Sequence, residues 1–116
     1  MFYTIKELIE QSKAYPSVAE LMIATEIDNT GRNKQEIRQL MERNLEAMEA
    51  SIDKGVAGVK SLTGLTGGEA KKMDDYLQAG NFLSGDLVVK AVRNAIAVNE
   101  VNAGMGLICA TPTAGS

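Results

Sequence analysis

Cys109 is the only cysteine in the chain, and a thiolate can serve as a nucleophile or as a ligand for soft metals. It stands between Ile108 and Ala110, in a terminal segment that runs from Asn99-Glu100-Val101-Asn102-Ala103 to Thr111-Pro112-Thr113-Ala114-Gly115-Ser116. An isolated cysteine in such apolar company is equally what a small buried core residue looks like. Glu100 is the only carboxylate of that segment and so the only local candidate for a general base. Asn99 and Asn102 are three apart and share a helix face, where they could line a pocket or hydrogen-bond the following loop. A solvated helix end would explain them as well.

A second polar stretch, Thr63-Gly64-Leu65-Thr66-Gly67-Gly68, lies upstream. It offers hydroxyls and backbone N–H groups and precedes a helix whose first turn has free donors, a favourable place for a carboxylate. Thr113, Gly115 and Ser116 offer the same groups at the other end of the chain. The competing reading is a capped helix entered through a flexible turn. The glycine pattern matches neither the P-loop nor the dinucleotide fingerprint. There is no histidine, which removes a Ser-His or Cys-His pair from this polypeptide, and one cysteine with scattered carboxylates does not make a closed zinc shell.

The elements that would position these residues are helical. Thr4-x-x-Glu7, Ser17-x-x-Glu20, Asn33-x-x-Glu36 and Thr66-x-x-Glu69 each place a capping side chain three residues before a glutamate, the reciprocal arrangement that satisfies two free N–H groups. Pro16 follows the first helix, and Gly31, Gly55 and Gly80 sit where left-handed residues would close the second, third and fourth. Ile37, Leu40, Met41, Leu45, Met48 and Ile52 recur at helical spacing and predict the buried face of a long surface helix, opposite Lys34, Arg38, Glu42, Glu46 and Glu49. A last helix is predicted over roughly Ser84 to Ala103. Its apolar residues Leu87, Val88, Ala91, Val92, Ala95, Ile96 and Val98 leave a narrow stripe at Lys90, Arg93, Asn94 and Ala97. Such a helix should be largely buried in the complete protein.

Composition agrees. Hydrophobic residues make up 45% of the 116, but aromatics only 4%, so aliphatic side chains must fill the core, which favours helices packed on helices. The expected fold is all-α, a compact bundle of about five helices with a Gly-rich loop between the third and fourth. The net charge of −3 and the absence of a basic run argue against nucleic acid. A helix-turn-helix reading of Ser17 to Lys54 fails on the acidity of its second helix, which carries Glu36, Glu42, Glu46 and Glu49. One cysteine makes no internal disulfide, no basic start leads into an apolar stretch, and no window reaches the roughly 18 apolar residues of a spanning helix. The expected location is the cytoplasm, with no membrane partner.

Asn99-Glu100-Val101-Asn102-Ala103, Cys109-Ala110-Thr111-Pro112-Thr113-Ala114-Gly115-Ser116 and the Thr63 to Gly68 stretch resemble the α chain of the iron-sulfur-dependent L-serine dehydratases. The likeness runs along the whole chain and is to the two-chain branch of that family. It implies that residues 1–116 are the amino-terminal part of a helical α domain, truncated at its C-terminal end. It further implies a [4Fe-4S] cluster in the full-length enzyme, absent from this fragment, with no pyridoxal phosphate. One iron free of protein thiolate would act as a Lewis acid on the substrate hydroxyl while a base removes the α proton. L-serine would be the substrate, a β subunit the partner, and an oligomer the assembly. The fragment alone would be inactive. On that resemblance Cys109 is a cluster ligand or a neighbour of the cluster, Glu100 the candidate base, and Thr63, Gly64, Thr66, Gly67, Asn99, Asn102, Thr113, Gly115 and Ser116 candidates for gripping the substrate. A helical interaction module without catalytic chemistry is the contrasting expectation.

Overall fold

Capping side chains start three of the helices. The computed structural model describes residues 2–80 and 82–110. Among these the chain forms α1 (Ile5–Ser12), α2 (Val18–Thr30), α3 (Lys34–Ala57), α4 (Glu69–Ala79) and α5 (Asp86–Ala103), with no strand. The all-α class and the number of helices are as the composition and periodicity lead one to expect. Thr4 Oγ1 accepts from Glu7 N at 3.2 Å and Ser17 Oγ from Glu20 N at 3.2 Å. Only Asn33 and Glu36 close the full reciprocal box: Asn33 Oδ1 accepts from Glu36 N at 3.0 Å, and Glu36 Oε2 accepts from Asn33 N at 2.8 Å. The Glu20 carboxylate instead takes the Lys34 ammonium at 2.6 and 2.8 Å. That hydrogen bond, helped by the charges of Lys34 and Arg38, holds the Glu20 carboxyl below its ordinary range.

The fourth box does not form. Gly68, at φ +92°, is the N-cap of α4 and makes no side-chain cap, so Thr66 does not cap the helix. Asn33→Ala is therefore expected to cost about 1 kcal/mol, and Thr66→Ala less than about 0.5 kcal/mol, the scale of an ordinary surface change. Urea unfolding of the two variants checks the contrast.

Helix ends follow the glycines with one exception. Gly31 (φ +71°) and Gly80 (φ +73°) are left-handed and close α2 and α4. Gly55 does not close α3, which continues to Ala57. It is buried inside the helix, and a Cβ placed there would fall on the backbone of Ala97 in α5. This glycine is needed for close approach rather than for a turn. After α5 the chain reverses in a Schellman arrangement: Gly106 N donates to Val101 O at 2.8 Å and Met105 N to Asn102 O at 3.0 Å. Met105, at φ +60°, holds the left-handed position that glycine usually takes.

The described chain divides into two compact units, one ending at Arg43 and the other starting at Asn44. In the first, α1 packs on α2, and Leu21 and Ile37 form the buried apolar centre. An open apolar groove of about 410 Å³ runs past Ala19, Met22, Ile23, Ile37, Leu40 and Met41. In the second, α4 packs on α5 around Ala70, Val89, Ala97 and Val101. Arg93 of α5 pairs with Asp74 of α4 at 2.5 Å, both largely screened from solvent.

One burial expectation is corrected. On α3 only Ile37 of the predicted apolar face is buried; Leu40, Met41, Leu45 and Met48 are exposed, and Ser51 and Gly55 are the buried positions farther along. On α5 the narrow stripe lies largely on the inward side: Ala97 is fully buried, Arg93 and Asn94 are half-buried and Lys90 is exposed, while Leu87, Val88 and Val92 of the apolar majority are exposed. Close packing explains the buried positions, because small residues let backbones approach at Gly55 and Ala97, and Asp74 neutralises the Arg93 cation brought in with them.

Candidate functional site

Glu100 sits one turn before the end of α5 and is only 5% exposed. A buried carboxylate must find donors or carry a large desolvation cost, and Glu100 finds them at the start of α4. Its Oε1 accepts from Glu69 N at 2.6 Å and from Ala70 N at 3.3 Å. Two of the free N–H groups of the α4 first turn are thus satisfied by a side chain 30 and 31 residues away, where a local Ser or Thr cap would normally serve. Negative charge at this helix end is also favoured by the macrodipole. The other oxygen, Oε2, is buried without a hydrogen-bond partner.

Next to this cap lies an open cavity of about 590 Å³ lined by Thr66, Glu69, Ile96, Asn99, Glu100 and Ala103. Three residues singled out in the sequence from two distant segments, Thr66, Asn99 and Glu100, therefore share one wall. Glu69 joins them and was not foreseen as part of a site. Its place in the apparent fourth capping box assigned its carboxylate to Thr66, whereas Oε2 accepts from Gly67 N at 2.8 Å. Hydrogen bonding with the Glu100 carboxyl, followed by the backbone N–H groups of Glu69 and Gly67, holds the Glu69 carboxyl below its ordinary range.

A carboxyl lowered by folding stabilises the protein above its unfolded pKa, and that contribution is lost as pH falls through the folded value. Glu100→Ala removes the first of these partners. The Glu69 midpoint, followed by carbonyl NMR against pH, is expected to rise toward its ordinary value in that variant, and the acid limb of the stability curve to lose the Glu69 contribution.

The rest of the Gly-rich loop does not face the cavity. Ser61 ties it to itself: Ser61 N donates to Thr66 O at 2.9 Å, Gly64 N to Ser61 O at 3.0 Å, and Thr66 N to Ser61 Oγ at 3.3 Å. Thr63 Oγ1 lies 3.3 Å from Ser61 Oγ. The N–H groups of Gly64, Thr66 and Gly67 are thus engaged, as are those of Glu69 and Ala70. Ser61 takes the first two of these and the carboxylates of Glu69 and Glu100 the other three, so these five donors are not free for an incoming carboxylate. Gly67 is fixed in place as well: at φ +132°, an added Cβ would strike the backbone of Val59 and Lys60.

Asn102 is half-buried and is not among the cavity's lining residues. Cys109 is a free, half-buried thiol in the extended segment beyond the α5 turn, and it too is absent from the cavity wall. Among the described residues no group of three or more His, Cys, Asp or Glu could hold a metal ion. The donors present among the described residues, a single thiol outside any metal-binding group, do not fit a [4Fe-4S] cluster by themselves. Thr113, Gly115 and Ser116 lie outside the described residues. No described helix is long and apolar enough to cross a membrane.

Residues 13–116 match the family described as "Serine dehydratase alpha chain". A Bacillus subtilis (strain 168) protein described as "Probable L-serine dehydratase, alpha chain" is 52% identical over 117 residues, covering 100% of this chain and 39% of its own length. The "L-serine dehydratase, alpha chain" of Peptoniphilus asaccharolyticus is 33% identical over 122 residues, covering 100% of this chain and 40% of its own. A shorter match, 74% over 31 residues, covers 27% of this chain and 15% of a Latilactobacillus sakei protein described as "Probable L-serine dehydratase, alpha chain". The chain spans about two-fifths of the length of the first two relatives. No solved structure matches it. With the family match running through the Gly-rich loop, α5 and Cys109, the chain belongs to the serine dehydratase alpha chain family.

Proposed function

We propose that the chain is the amino-terminal part of an L-serine dehydratase α chain and that the cavity at the start of α4 forms part of its serine site. The observation that supports this most is the meeting at one cavity, which Glu69 also lines, of Thr66, Asn99 and Glu100, drawn from two of the segments that carry the family likeness. The reaction is an elimination. A base takes the α proton, the C–O bond to the β hydroxyl breaks, and water leaves to give 2-aminoacrylate. Tautomerisation to the imine and addition of water then release ammonia and pyruvate.

Glu100 is the base in this reading. One of its oxygens is held by two backbone donors while the other has no partner, so the carboxylate is positioned yet keeps a site for a proton. Asn99 and Thr66 orient the substrate. Departure of the hydroxyl calls for an acid or a Lewis acid, and the cavity wall contains neither a cationic side chain nor a metal-binding group. The [4Fe-4S] cluster, further thiolates, the β subunit and oligomerisation belong to the reading of the whole enzyme, with Cys109 as ligand or neighbour. The isolated 116 residues are expected to be inactive.

The test is to express the chain extended to its natural stop codon, reconstitute it anaerobically with iron and sulfide beside its β partner, and measure pyruvate from L-serine. Pyruvate from the wild type supports the reading. Joint loss of iron and activity in Cys109→Ala identifies a ligand, and retention of both makes Cys109 structural. Stable folding with neither iron nor pyruvate would overturn the reading in favour of a helical interaction module.

A further inference from the structure

Two carboxylates, Glu69 and Glu100, line the cavity at the start of α4, and no Lys or Arg does. The α4 N–H groups that would ordinarily make this place attractive to an anion are already donated to Glu100. An incoming carboxylate would therefore meet two acidic side chains, no cation, and no free donor from that first-turn pair. Glu100 Oε2 is buried in a residue 5% exposed and has no partner. A buried acceptor in that state is costly, and the group that would offset it is a cationic donor brought from outside. Glu69 is exposed at the same wall. Its Oε2 accepts from Gly67 N, which fixes the carboxyl group at the mouth of the cavity.

We propose that this cavity binds the ammonium end of an amino-acid substrate, with Glu69 as the counter-charge and Asn99 and Thr66 supplying further acceptor oxygens. The proposal rests on the reading of the cavity as part of the serine site and reverses the polarity expected of a glycine-loop helix start. An ammonium carries three donors and one positive charge, which suits a wall of acceptors with a surplus of negative charge. The substrate carboxylate is then held by groups outside this wall. Glu100, beside the ammonium, stays within one carbon of the α proton it is proposed to remove.

Two probes separate the ends of serine: ethanolamine has the ammonium and hydroxyl without the carboxylate, and 3-hydroxypropionate has the carboxylate and hydroxyl without the ammonium. Each is titrated calorimetrically into the full-length α chain with its β partner, for wild type, Glu69→Gln and Asn99→Asp, with pyruvate formation measured on the same samples. Glu69→Gln is expected to weaken ethanolamine about tenfold or more and to leave 3-hydroxypropionate within about twofold, the scale of one charged hydrogen bond. Asn99→Asp, which adds a third carboxylate, is expected to tighten ethanolamine, a gain that a misfolded variant would not show. Absence of ethanolamine binding to the wild type, an unchanged ethanolamine affinity in Glu69→Gln, or a loss confined to 3-hydroxypropionate would overturn the proposal. Ethanolamine binding that depends on Glu69 in a protein that makes no pyruvate would sustain the cation site and defeat the serine reading. Pyruvate formation with Glu69-independent ethanolamine binding would do the reverse.

Discussion

Replacing Glu100 by alanine is expected to destabilise the protein by about 2 kcal/mol, while glutamine at the same position is expected to match or exceed wild-type stability. The alanine variant strips the first turn of α4 of its acceptor. Loss of a cap costs about 1 kcal/mol, and leaving a buried donor unpaired costs about 1–3 kcal/mol. Removing the partnerless Oε2 gives part of that back. Glutamine keeps an oxygen for Glu69 N and Ala70 N and sets an amide donor where the unpaired oxygen was, beside the Glu69 carboxylate. Urea unfolding separates the two variants. Equal losses in both would show that the charge of Glu100, and not its acceptor geometry, holds α4.

Gly55→Ala is expected to destabilise by about 2 kcal/mol or more, against the usual preference of helices. In a helix interior, alanine is favoured over glycine by about 0.5–1 kcal/mol. At this position the added methyl falls on the backbone of Ala97, which cannot rotate away as a flexible side chain would, and overpacking costs about 1–3 kcal/mol and occasionally more. The steric term wins. Because the clash is with main-chain atoms, Ala97→Gly is not expected to rescue the variant. A thermal midpoint for Gly55→Ala at or above that of the wild type would mean that α3 and α5 are not in the close contact described.

Local signals were the most legible in the sequence. The Thr4, Ser17 and Asn33 caps act within three residues, so spacing alone predicts them, and the αL glycines after α2 and α4 follow from the same short-range geometry. What spacing could not convey was competition from distant groups. Thr66-x-x-Glu69 has the form of a capping box, but Glu100 reaches α4 from α5 and takes its donors. Gly55 reads as a stop when only chain direction is considered, and as a contact once Ala97 is known to lie over it. Periodicity on α5 marked an apolar majority without saying which side faced inward, because Ala97 and the neutralised Arg93 can be buried as readily as Leu87 and Val88 can be left at the surface. At the candidate site, Thr66, Asn99 and Glu100 were recognisable as polar groups near glycines and a helix end. Glu69 was hidden because its carboxylate had an ordinary local role to fill.

The most direct test of the account is pyruvate formation from L-serine by Glu100→Gln in the full-length α chain with its β partner, measured on the same preparation as its urea midpoint and iron content. If Glu100 is the base, the variant is a folded, iron-loaded enzyme with kcat lowered by about 10²–10⁴, the scale of losing a general base. A Glu100→Gln enzyme that is equally stable and iron-loaded and makes pyruvate at the wild-type rate would contradict it, leaving Glu100 as the cap of α4 and nothing more.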